Sequence, residues 1–326
     1  MLNKNPFIIA EIAQGYEGKE DLVWRFVEAA IKSSADAVKF QIFYADELAL
    51  PDYQYYRLFK SLELPLKVWD EAIRQAHQAG LEFYSDVFGL QSLRELDSIG
   101  IDGFKIHTTD INNLSLLKAV ALLRKKVFLS TGGCLKEEVE KALDILNSCQ
   151  VTLMYGFQAE PTEIIDNNLN RILTLRDIFK NPIGFQDHIA GDAKLAFYLP
   201  FIALGLGAVV FEKHLTLDRK LKMEDYISAL EPQEFKLWAD NLKEAYLALG
   251  QKKWELQPKE REYRSKVKRG VVALKDIKKG KNLEETDLIL KRTQDPEAIF
   301  EIGKACGKKA LEDIMKNSVV KERQIR

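Results

Sequence analysis

Eight short apolar runs alternate with longer helix-like stretches through residues 1–250 of the sequence. The runs are rich in Val, Ile, Leu and Phe and do not alternate apolar with polar residues, which is typical of strands buried on both faces. They cover residues 7–12, 37–42, 81–85, 103–106, 127–130, 151–155, 183–185 and 208–211. Eight strand–helix units over about 240 residues match the size of a (β/α)8 TIM barrel.

The helix-like stretches between the runs cover residues 21–33, 66–79, 114–123, 136–148, 168–179 and 195–204. A doubly wound open sheet is the alternative arrangement, but it usually needs fewer strands, and no glycine-rich dinucleotide fingerprint follows the first run. We therefore predict an α/β barrel. Residues 44–64 are predicted as a long βα loop on the catalytic side of this barrel, where an insertion usually shapes the substrate pocket.

The character of the sequence changes after residue 249. Residues 251–265 are polar and highly charged, and we predict that they form a linker. Residues 266–326 are basic, with short β-like runs at 271–273, 288–290 and 319–320, and with a weak internal echo between DIKKG at 276–280 and DIMKN at 313–317. The sequence therefore predicts a barrel domain over residues 1–250 and a small β-rich domain over residues 266–326.

Composition excludes several classes of protein. The 48 Lys and Arg residues nearly balance the 49 Asp and Glu residues, so a protein held to nucleic acid by a basic surface is not expected. Hydrophobic residues make up 46%, which argues against disorder, and no apolar run reaches the roughly 18 residues that span a bilayer. Cys134, Cys149 and Cys306 are widely spaced, which fits a reducing cytoplasm and gives neither a disulfide framework nor a zinc site. We expect a cytoplasmic protein without nucleic-acid or membrane partners.

Residues at the carboxyl ends of barrel strands face the active site. The side chains at these positions are polar or charged throughout: Glu11, Lys39, Gln41, Ser85, Asp86, Lys105, Thr108, Asp110, Ser130, Thr131, Gln158, Asp187, His188, Glu212 and His214. A lysine inside a buried strand is costly without a partner. Lys39 and Lys105 therefore either extend their stems to the rim or form an anion clamp for a carboxylate or a phosphate.

His188 and His214 follow the seventh and eighth runs, which are neighbours in a barrel. Two imidazoles that converge there are suited to one divalent metal ion, with carboxylates or water completing its coordination. The turn STGG at 130–133 offers hydroxyls and backbone N–H groups at the start of a helix, which is a reasonable anion cradle. His77 and His107 carry less weight, and no Ser–His–Asp arrangement is recognisable from spacing.

Several separate motifs occur in one order along nearly the whole chain. They are AEI at residues 10–12, EG at 17–18, VKFQ at 38–41, FKI at 104–106, NN at 112–113, LSTG at 129–132, IGF at 183–185, DH at 187–188 and FEKHLT at 211–216. Together they resemble the sialic acid synthase family, which includes N-acetylneuraminate, legionaminate and pseudaminate synthases. The C-terminal part resembles the antifreeze-like (SAF) domain of that family, through DIKKG at 276–280 and LKR at 290–292.

The resemblance implies a reaction, a metal and a dimer. Such enzymes condense phosphoenolpyruvate with an acylated amino sugar, giving a nonulosonic 2-keto acid and phosphate for surface-polysaccharide biosynthesis. C3 of phosphoenolpyruvate is the nucleophile, and water then attacks C2 with C–O cleavage. A divalent ion, Mn²⁺ or alternatively Mg²⁺ or Co²⁺, is expected on His188 and His214. A domain-swapped homodimer is also implied, in which Arg292 reaches the active site of the partner subunit.

The same resemblance assigns roles to individual residues. Glu11, Asp110 and Lys105 are expected to be catalytic. The residues expected to bind substrate are Lys39, Gln41, Asp86, Thr108, Ser130, Gln158, Gln186, Asp225 and Arg292.

The sequence departs from the family pattern at clustered positions. Asp86 stands where the family usually offers a neutral hydroxyl to phosphate, and Gln186 replaces a second hydroxyl. Residues 155–161 read YGFQAEP where HCTNxYP is usual, and residues 105–110 read KIHTTD where KIGSGE is usual. Asp86 is expected to pair with a lysine, to take a proton, or to abolish phosphate binding. A metal-dependent aldolase or lyase acting on a keto-acid sugar, and a non-catalytic sugar-binding homologue, therefore stay open as alternatives.

Overall fold

A closed barrel of eight parallel strands forms the first part of the chain in the computed structural model, which describes residues 6–326. The strands follow one another in sequence order, and β1 also pairs with β8, which closes the sheet. They are β1 Phe7–Ala13, β2 Ala37–Gln41, β3 Glu82–Asp86, β4 Gly103–Ile106, β5 Lys126–Ser130, β6 Gln150–Tyr155, β7 Ile183–Asp187 and β8 Val210–His214. The predicted (β/α)8 barrel is confirmed.

Helices surround the barrel and bury an apolar stripe against it. In α1, for example, Leu22, Val23 and Phe26 are buried while the intervening charged residues face outward. The helices of this part are α1 Glu20–Lys32, α2 Ala45–Leu48, α3 Tyr56–Leu62, α4 Leu66–Gln78, α5 Leu90–Ser98, α6 Leu114–Leu123, α7 Lys136–Ile145, α8 Arg171–Ile178, α9 Leu199–Gly205 and α10 Pro232–Leu249. Within residues 6–326, no helix is both long and apolar enough to cross a membrane.

The segment 44–64 differs from the loop predicted for it. It contains the short helices α2 and α3, and Tyr44, Leu62 and Leu64 border a small cavity beside Trp69 and Leu96. Residues 44–64 are absent from the lining of the cavity at the barrel mouth described below. The expectation that this insertion shapes the substrate pocket therefore stays a prediction, and Leu50, Tyr53, Tyr55 and Leu58 of the insertion are exposed.

The interior of the barrel has an apolar layer beneath a polar one. Strand register brings the buried side chains Ile9, Ala37, Tyr84, Phe128, Met154 and Val210 together towards the amino ends of the strands. Towards the carboxyl ends, Glu11 lies opposite Lys39 on one side and opposite His214 on the other. The fold therefore concentrates the charged residues of several strands at one end, where each can find a partner.

A second compact unit covers Gln251–Arg326. It contains the helix α11 Pro258–Val267, the antiparallel strands β9 Arg269–Ala273 and β10 Leu288–Arg292, and the one-turn helix α12 Ile302–Ala305. The second half of the stretch interpreted as a linker is thus helical, and Pro258 occupies the first turn of α11.

The repeated sequences DIKKG at 276–280 and DIMKN at 313–317 form two turns that hydrogen-bond to each other. Ile277 and Ile314 form a β-bridge, and both are buried in the core of the unit. The Asp313 carboxylate accepts a hydrogen bond from the backbone N–H of Lys279 at 2.8 Å, and the Asp276 carboxylate accepts one from Lys316 at 2.7 Å. The two repeats therefore stabilise each other's turns.

Candidate active site

The polar mouth of the barrel encloses a cavity of about 180 Å³. It lies at the carboxyl ends of the strands, where barrel enzymes carry their active sites. Its lining comprises Glu11, Gln14, Lys39, Gln41, Lys105, His107, Phe157, Glu160, Gln186, His188, Glu212, His214, Glu224 and Asp225. A larger cavity of about 600 Å³ lies at the opposite end, but its lining is dominated by apolar and aromatic residues such as Phe7, Tyr84 and Phe128. We place the candidate site at the mouth because acids, bases and metal ligands converge there.

The floor of the mouth is a network of buried ion pairs. Lys39 is fully buried and pairs with both Glu11 and Asp86. The Lys105 ammonium lies 2.5 Å from Glu212 across the barrel, and the second oxygen of Glu212 lies 3.8 Å from the Lys39 ammonium. Neither lysine reaches the rim, so the extended-stem interpretation is excluded. Both are positioned as charges inside the barrel, and three carboxylates already surround them.

Burial and charge act differently on the carboxylates of this floor. Desolvation raises the pKa of Glu11 to about 8, although the Lys39 charge opposes the shift. Burial also opposes ionisation of Asp86, but the charges of Lys39 and Lys105 outweigh it and hold the pKa of Asp86 below its ordinary value. Asp86 is therefore an ionised partner of Lys39, the first of the three outcomes expected for it. Its other oxygen is buried without a hydrogen-bond partner among the described residues.

His188 and His214 face each other at the mouth. Their Nε2 atoms are 3.3 Å apart, close to the separation of about 3.0–3.5 Å that two nitrogens adopt when both lie about 2.1 Å from one ion. His188 Nδ1 lies 3.1 Å from the backbone carbonyl of Gln186, so Nδ1 carries the proton and donates it there. The Nε2 lone pair is then free to bind a metal.

Both imidazoles are held in the neutral form that metals require. Burial lowers the pKa of His188 to about 3, and the charge of Lys105 acts in the same direction. Burial also lowers the pKa of His214 well below its ordinary value. The Glu160 carboxylate completes a group in which one ligand atom from each residue lies within 4.8 Å of the others. Two imidazoles and a carboxylate are a donor set that fits a divalent transition metal.

Three polar side chains form a hydrogen-bonded row beside the floor. Thr108 Oγ1 lies 3.1 Å from Ser130 Oγ, and Gln186 Nε2 donates to Ser130 Oγ at 3.0 Å. The side-chain amide oxygen of Gln186, Oε1, is buried without a partner in the described part of the chain. Of this row only Gln186 lines the cavity, and the buried Ser130 hydroxyl holds the Gln186 amide in place.

The structure brings most of the expected site residues together, but not all. Gln41 lines the cavity and accepts a hydrogen bond from Gln14 at 2.9 Å, and Asp225 lines it 3.8 Å from His214 Nδ1. Five barrel residues with an expected role are not part of the lining: Asp86, Thr108, Asp110, Ser130 and Gln158. The Asp110 oxygens accept hydrogen bonds from Thr109 and Asn113 of its own turn. Arg292 is exposed in β10 of the second unit.

Several residues of the mouth were given no role by sequence reasoning. Glu212 was expected at the strand end that faces the site but was given no specific role. It lies two positions before His214 on β8, a spacing that puts both side chains on one face of the strand. His107 had been given little weight but lines the cavity, as do Gln14 and Glu224. Glu160 carried no signal of this kind, because it lies in the loop after β6.

Comparisons with known proteins find a family model and relatives that match most of the chain. The model of the NeuB family matches residues 26–254. The N,N'-diacetyllegionaminic acid synthase of Campylobacter jejuni is 32% identical, covering 98% of this chain and 100% of that protein. A pseudaminic acid synthase of Campylobacter jejuni is 30% identical, covering 99% of this chain and 98% of its own length.

A solved structure is similar as well. The N-acetylneuraminic acid (sialic acid) synthetase of Leptospira borgpetersenii, crystallised with citrate, superposes with a TM-score of 0.75 at 31% identity. The match covers 81% of this chain and 93% of that one. With the barrel, the paired histidines and the lysine floor in place, these matches show that the chain is a member of the NeuB family.

Proposed function

We propose that this protein is a transferase that condenses phosphoenolpyruvate with an acylated amino sugar. The products are a nonulosonic 2-keto acid and phosphate, and the pathway is surface-polysaccharide biosynthesis. The observation that carries the proposal is the pair of neutral imidazoles, 3.3 Å apart, above a floor of buried lysines in a NeuB-family barrel. Relatives over nearly the full length are named as synthases of legionaminic and pseudaminic acid.

The metal ligands of the proposal are His188 and His214, and the ion is Mn²⁺, with Mg²⁺ or Co²⁺ as alternatives. Such an ion, when bound, supplies a Lewis acid that polarises the aldehyde oxygen of the sugar. The contribution of the chain is to fix the ligands. The Gln186 carbonyl holds the tautomer of His188, and burial keeps both rings uncharged.

The donor is proposed to lie over the floor, with its anionic groups towards Lys105 and Ser130. Lys105 is 5% exposed and has a single carboxylate partner, so its charge can still act on a ligand. Glu11 is the residue best suited to take up and release a proton of the attacking water, because its raised pKa lies near neutral pH. Asp110, whose oxygens are engaged in its own turn, is assigned no direct step in this arrangement.

A specific observation favours a second candidate, a metal-dependent aldolase or lyase acting on a keto-acid sugar. Asp86 provides Lys39 with an anion in the position where the resemblance predicts a neutral hydroxyl. A donor with less negative charge, such as pyruvate, would meet less repulsion at this floor.

Two further parts of the proposal concern the assembly and location of the protein. We infer a domain-swapped homodimer in which Arg292 acts on the active site of the partner subunit, which rests on the resemblance of the second unit to an SAF domain. A cytoplasmic location is supported by the three free cysteines.

The experiment that tests the proposal is a metal-dependence assay on purified protein. The chain is stripped with a chelator, reloaded with Mn²⁺, Mg²⁺ or Co²⁺, and supplied with phosphoenolpyruvate and a panel of acylated amino sugars. Phosphate release that requires both metal and sugar supports the synthase. A keto acid formed from pyruvate, with no phosphate released from phosphoenolpyruvate, would favour the aldolase.

A further inference from the structure

We propose that Glu160 is a third protein ligand of the metal, so that this chain holds the ion by two imidazoles and one carboxylate. The inference rests on the metal site of the proposed function and adds to it a ligand that the family resemblance does not supply, since a tyrosine is usual at this position. One carboxylate oxygen of Glu160 lies within 4.8 Å of a ring nitrogen of His188 and of His214. Ligand atoms at this spacing can converge on one ion with small side-chain rotations.

The loop that carries Glu160 is tied to the strand end that carries His188. The backbone N–H of Thr162 donates to the carbonyl of His188 at 2.8 Å, and the Thr162 hydroxyl donates to the carbonyl of Ala159 at 2.8 Å. The Phe157 ring packs edge-on against the His188 ring with centroids 4.7 Å apart. Glu160 is therefore anchored on both sides, with Phe157 before it and Thr162 after it.

The Glu160 carboxylate has no positively charged partner of its own among the described residues. Among residues 6–326 it forms no ion pair with a lysine or arginine, and the Lys213 charge that acts on it is already paired with Asp187 at 3.1 Å. Glu160 is an exposed residue that lines the mouth together with Asp225, so a second carboxylate adds negative charge beside it. A divalent ion between His188 and His214 would supply the missing positive charge.

A third ligand has two consequences that can be measured without substrate. The carboxylate adds charge attraction and a chelating arm, so the ion is bound more tightly than by two imidazoles. It also changes the ligand field, and three ligands on one side of the ion leave the remaining positions open to substrate oxygens. The site would thus be loaded before either substrate arrives.

The test compares metal binding by the full chain and by matched variants. Calorimetric titration with Mn²⁺ gives the Kd, and Co²⁺ titration followed by visible absorption reports the coordination. Glu160→Gln keeps the shape but removes the charge, and Glu160→Tyr introduces the residue usual in the family. Glu163→Gln, in the same loop and exposed, removes an equal charge and serves as control. We expect both Glu160 variants to bind Mn²⁺ at least about tenfold more weakly with altered Co²⁺ bands, and Glu163→Gln to match the parent.

The outcomes separate this inference from the proposed function. If the parent binds Mn²⁺ and Glu160→Gln binds it equally well with the same Co²⁺ spectrum, Glu160 is not a ligand and the inference is overturned. If Glu163→Gln weakens Mn²⁺ binding as much as Glu160→Gln does, the weaker binding comes from the net charge of the loop and not from a lost ligand. The inference is then also overturned. If even the parent binds no divalent metal, the proposed function fails at its central observation. Circular dichroism of each variant shows that the barrel is folded.

Discussion

Single residues decide the charge balance of the mouth, and Asp86 is the one that changes it most. Lys39 pairs with Glu11 and Asp86, and Lys105 pairs with Glu212, so two ammonium groups meet three carboxylates. Because burial raises the pKa of Glu11 to about 8, Glu11 carries little charge at neutral pH, so the loss of Asp86 would leave one lysine charge without a counter-charge. A unit charge about 4 Å from a ligand charge contributes on the order of 1–4 kcal/mol in a partly solvated site. Asp86 therefore weakens the attraction of this floor for an anionic donor.

Replacement of Asp86 by Asn should strengthen the binding of phosphoenolpyruvate. The amide oxygen can still accept a hydrogen bond from Lys39, but the negative charge is gone, and a gain of about 1.4 kcal/mol corresponds to tenfold in Kd. Calorimetry in the presence of Mn²⁺ measures the change. Asp144→Asn, on the exposed side of α7, removes the same charge far from the mouth and should leave the Kd unaltered. Equal or weaker binding by Asp86→Asn would show that Asp86 does not oppose the donor.

His188→Ala should remove most metal binding and leave the fold intact. The variant loses one of the two facing Nε2 atoms, and the packing of the ring on Phe157 is a modest loss. Metal content of the purified protein and its thermal unfolding are measured together. His77→Ala, which affects an exposed imidazole paired with Asp102, is the matched control and should retain the parent's metal content. Full metal content in His188→Ala would place the ion elsewhere.

At the scale of elements, the strand ends position the site and the loop after β6 completes it. Gly156 is essential to this loop because its φ of +131° is unfavourable for other residues, and because an added Cβ would lie 2.3 Å from the carbonyl oxygen of Gln186. That carbonyl is the acceptor that orients His188. The backbone conformation at Gly156 therefore affects the position of the carbonyl that fixes the tautomer of His188.

Gly156→Ala should both destabilise the protein, by roughly 1–3 kcal/mol, and weaken metal binding. Gly80→Ala is the control, because Gly80 also has a positive φ, +83°, but an added Cβ there would meet nothing within 4 Å. Chemical denaturation and Mn²⁺ titration measure the two effects. If both variants lose equal stability and neither loses metal affinity, the contact with Gln186 has no functional consequence.

The sequence predicted the elements of the barrel better than it predicted the loops between them. Strands buried on both faces appear as continuous apolar runs, so all eight strands were located. Lys39 and Lys105 stood out because each is a lysine inside such an apolar run. Helix α5 was not located, since only Ser92, Leu93 and Leu96 of it are buried. The Glu160 cluster could not be predicted, because it forms only when the loop after β6 folds towards β7 and β8.

At the scale of the whole molecule, each of the two units has its own core. In the smaller unit, Asp287 is buried and bonded to two lysines, Lys275 and Lys281, each at 2.7 Å. Its second oxygen accepts a hydrogen bond from the backbone N–H of Glu284 at 3.0 Å. Burial opposes ionisation, but these donors outweigh it and hold the pKa of Asp287 well below its ordinary value.

The smaller unit should therefore lose stability in acid through Asp287. Because the pKa is lower in the folded state, the contribution is present above the unfolded value of about 3.9 and is lost as pH falls below it. Asp287→Asn should lower stability at neutral pH and flatten the acid dependence. Hydrogen exchange of residues 271–290 in the full chain, between neutral pH and the acid range, measures both. An equally steep acid loss in the variant would assign it to other groups.

The proposed exchange of Arg292 between subunits can be tested by complementation. His188→Ala and Arg292→Ala should each be inactive alone. A one-to-one mixture, refolded or coexpressed, should recover about one quarter of full activity if subunits assort at random and Arg292 acts on the partner subunit. No recovery, together with a monomer in sedimentation, would contradict the exchange.

The most direct test of the central claim is the ratio of the two products in a single reaction. Purified chain loaded with Mn²⁺ is given phosphoenolpyruvate and an acylated amino sugar, and phosphate and nonulosonic 2-keto acid are quantified over the same time course. The synthase should form them in equal amounts, and His188→Ala should form neither. Keto acid without phosphate, or formation of the same product from pyruvate but not from phosphoenolpyruvate, would contradict the synthase and establish the aldolase or lyase.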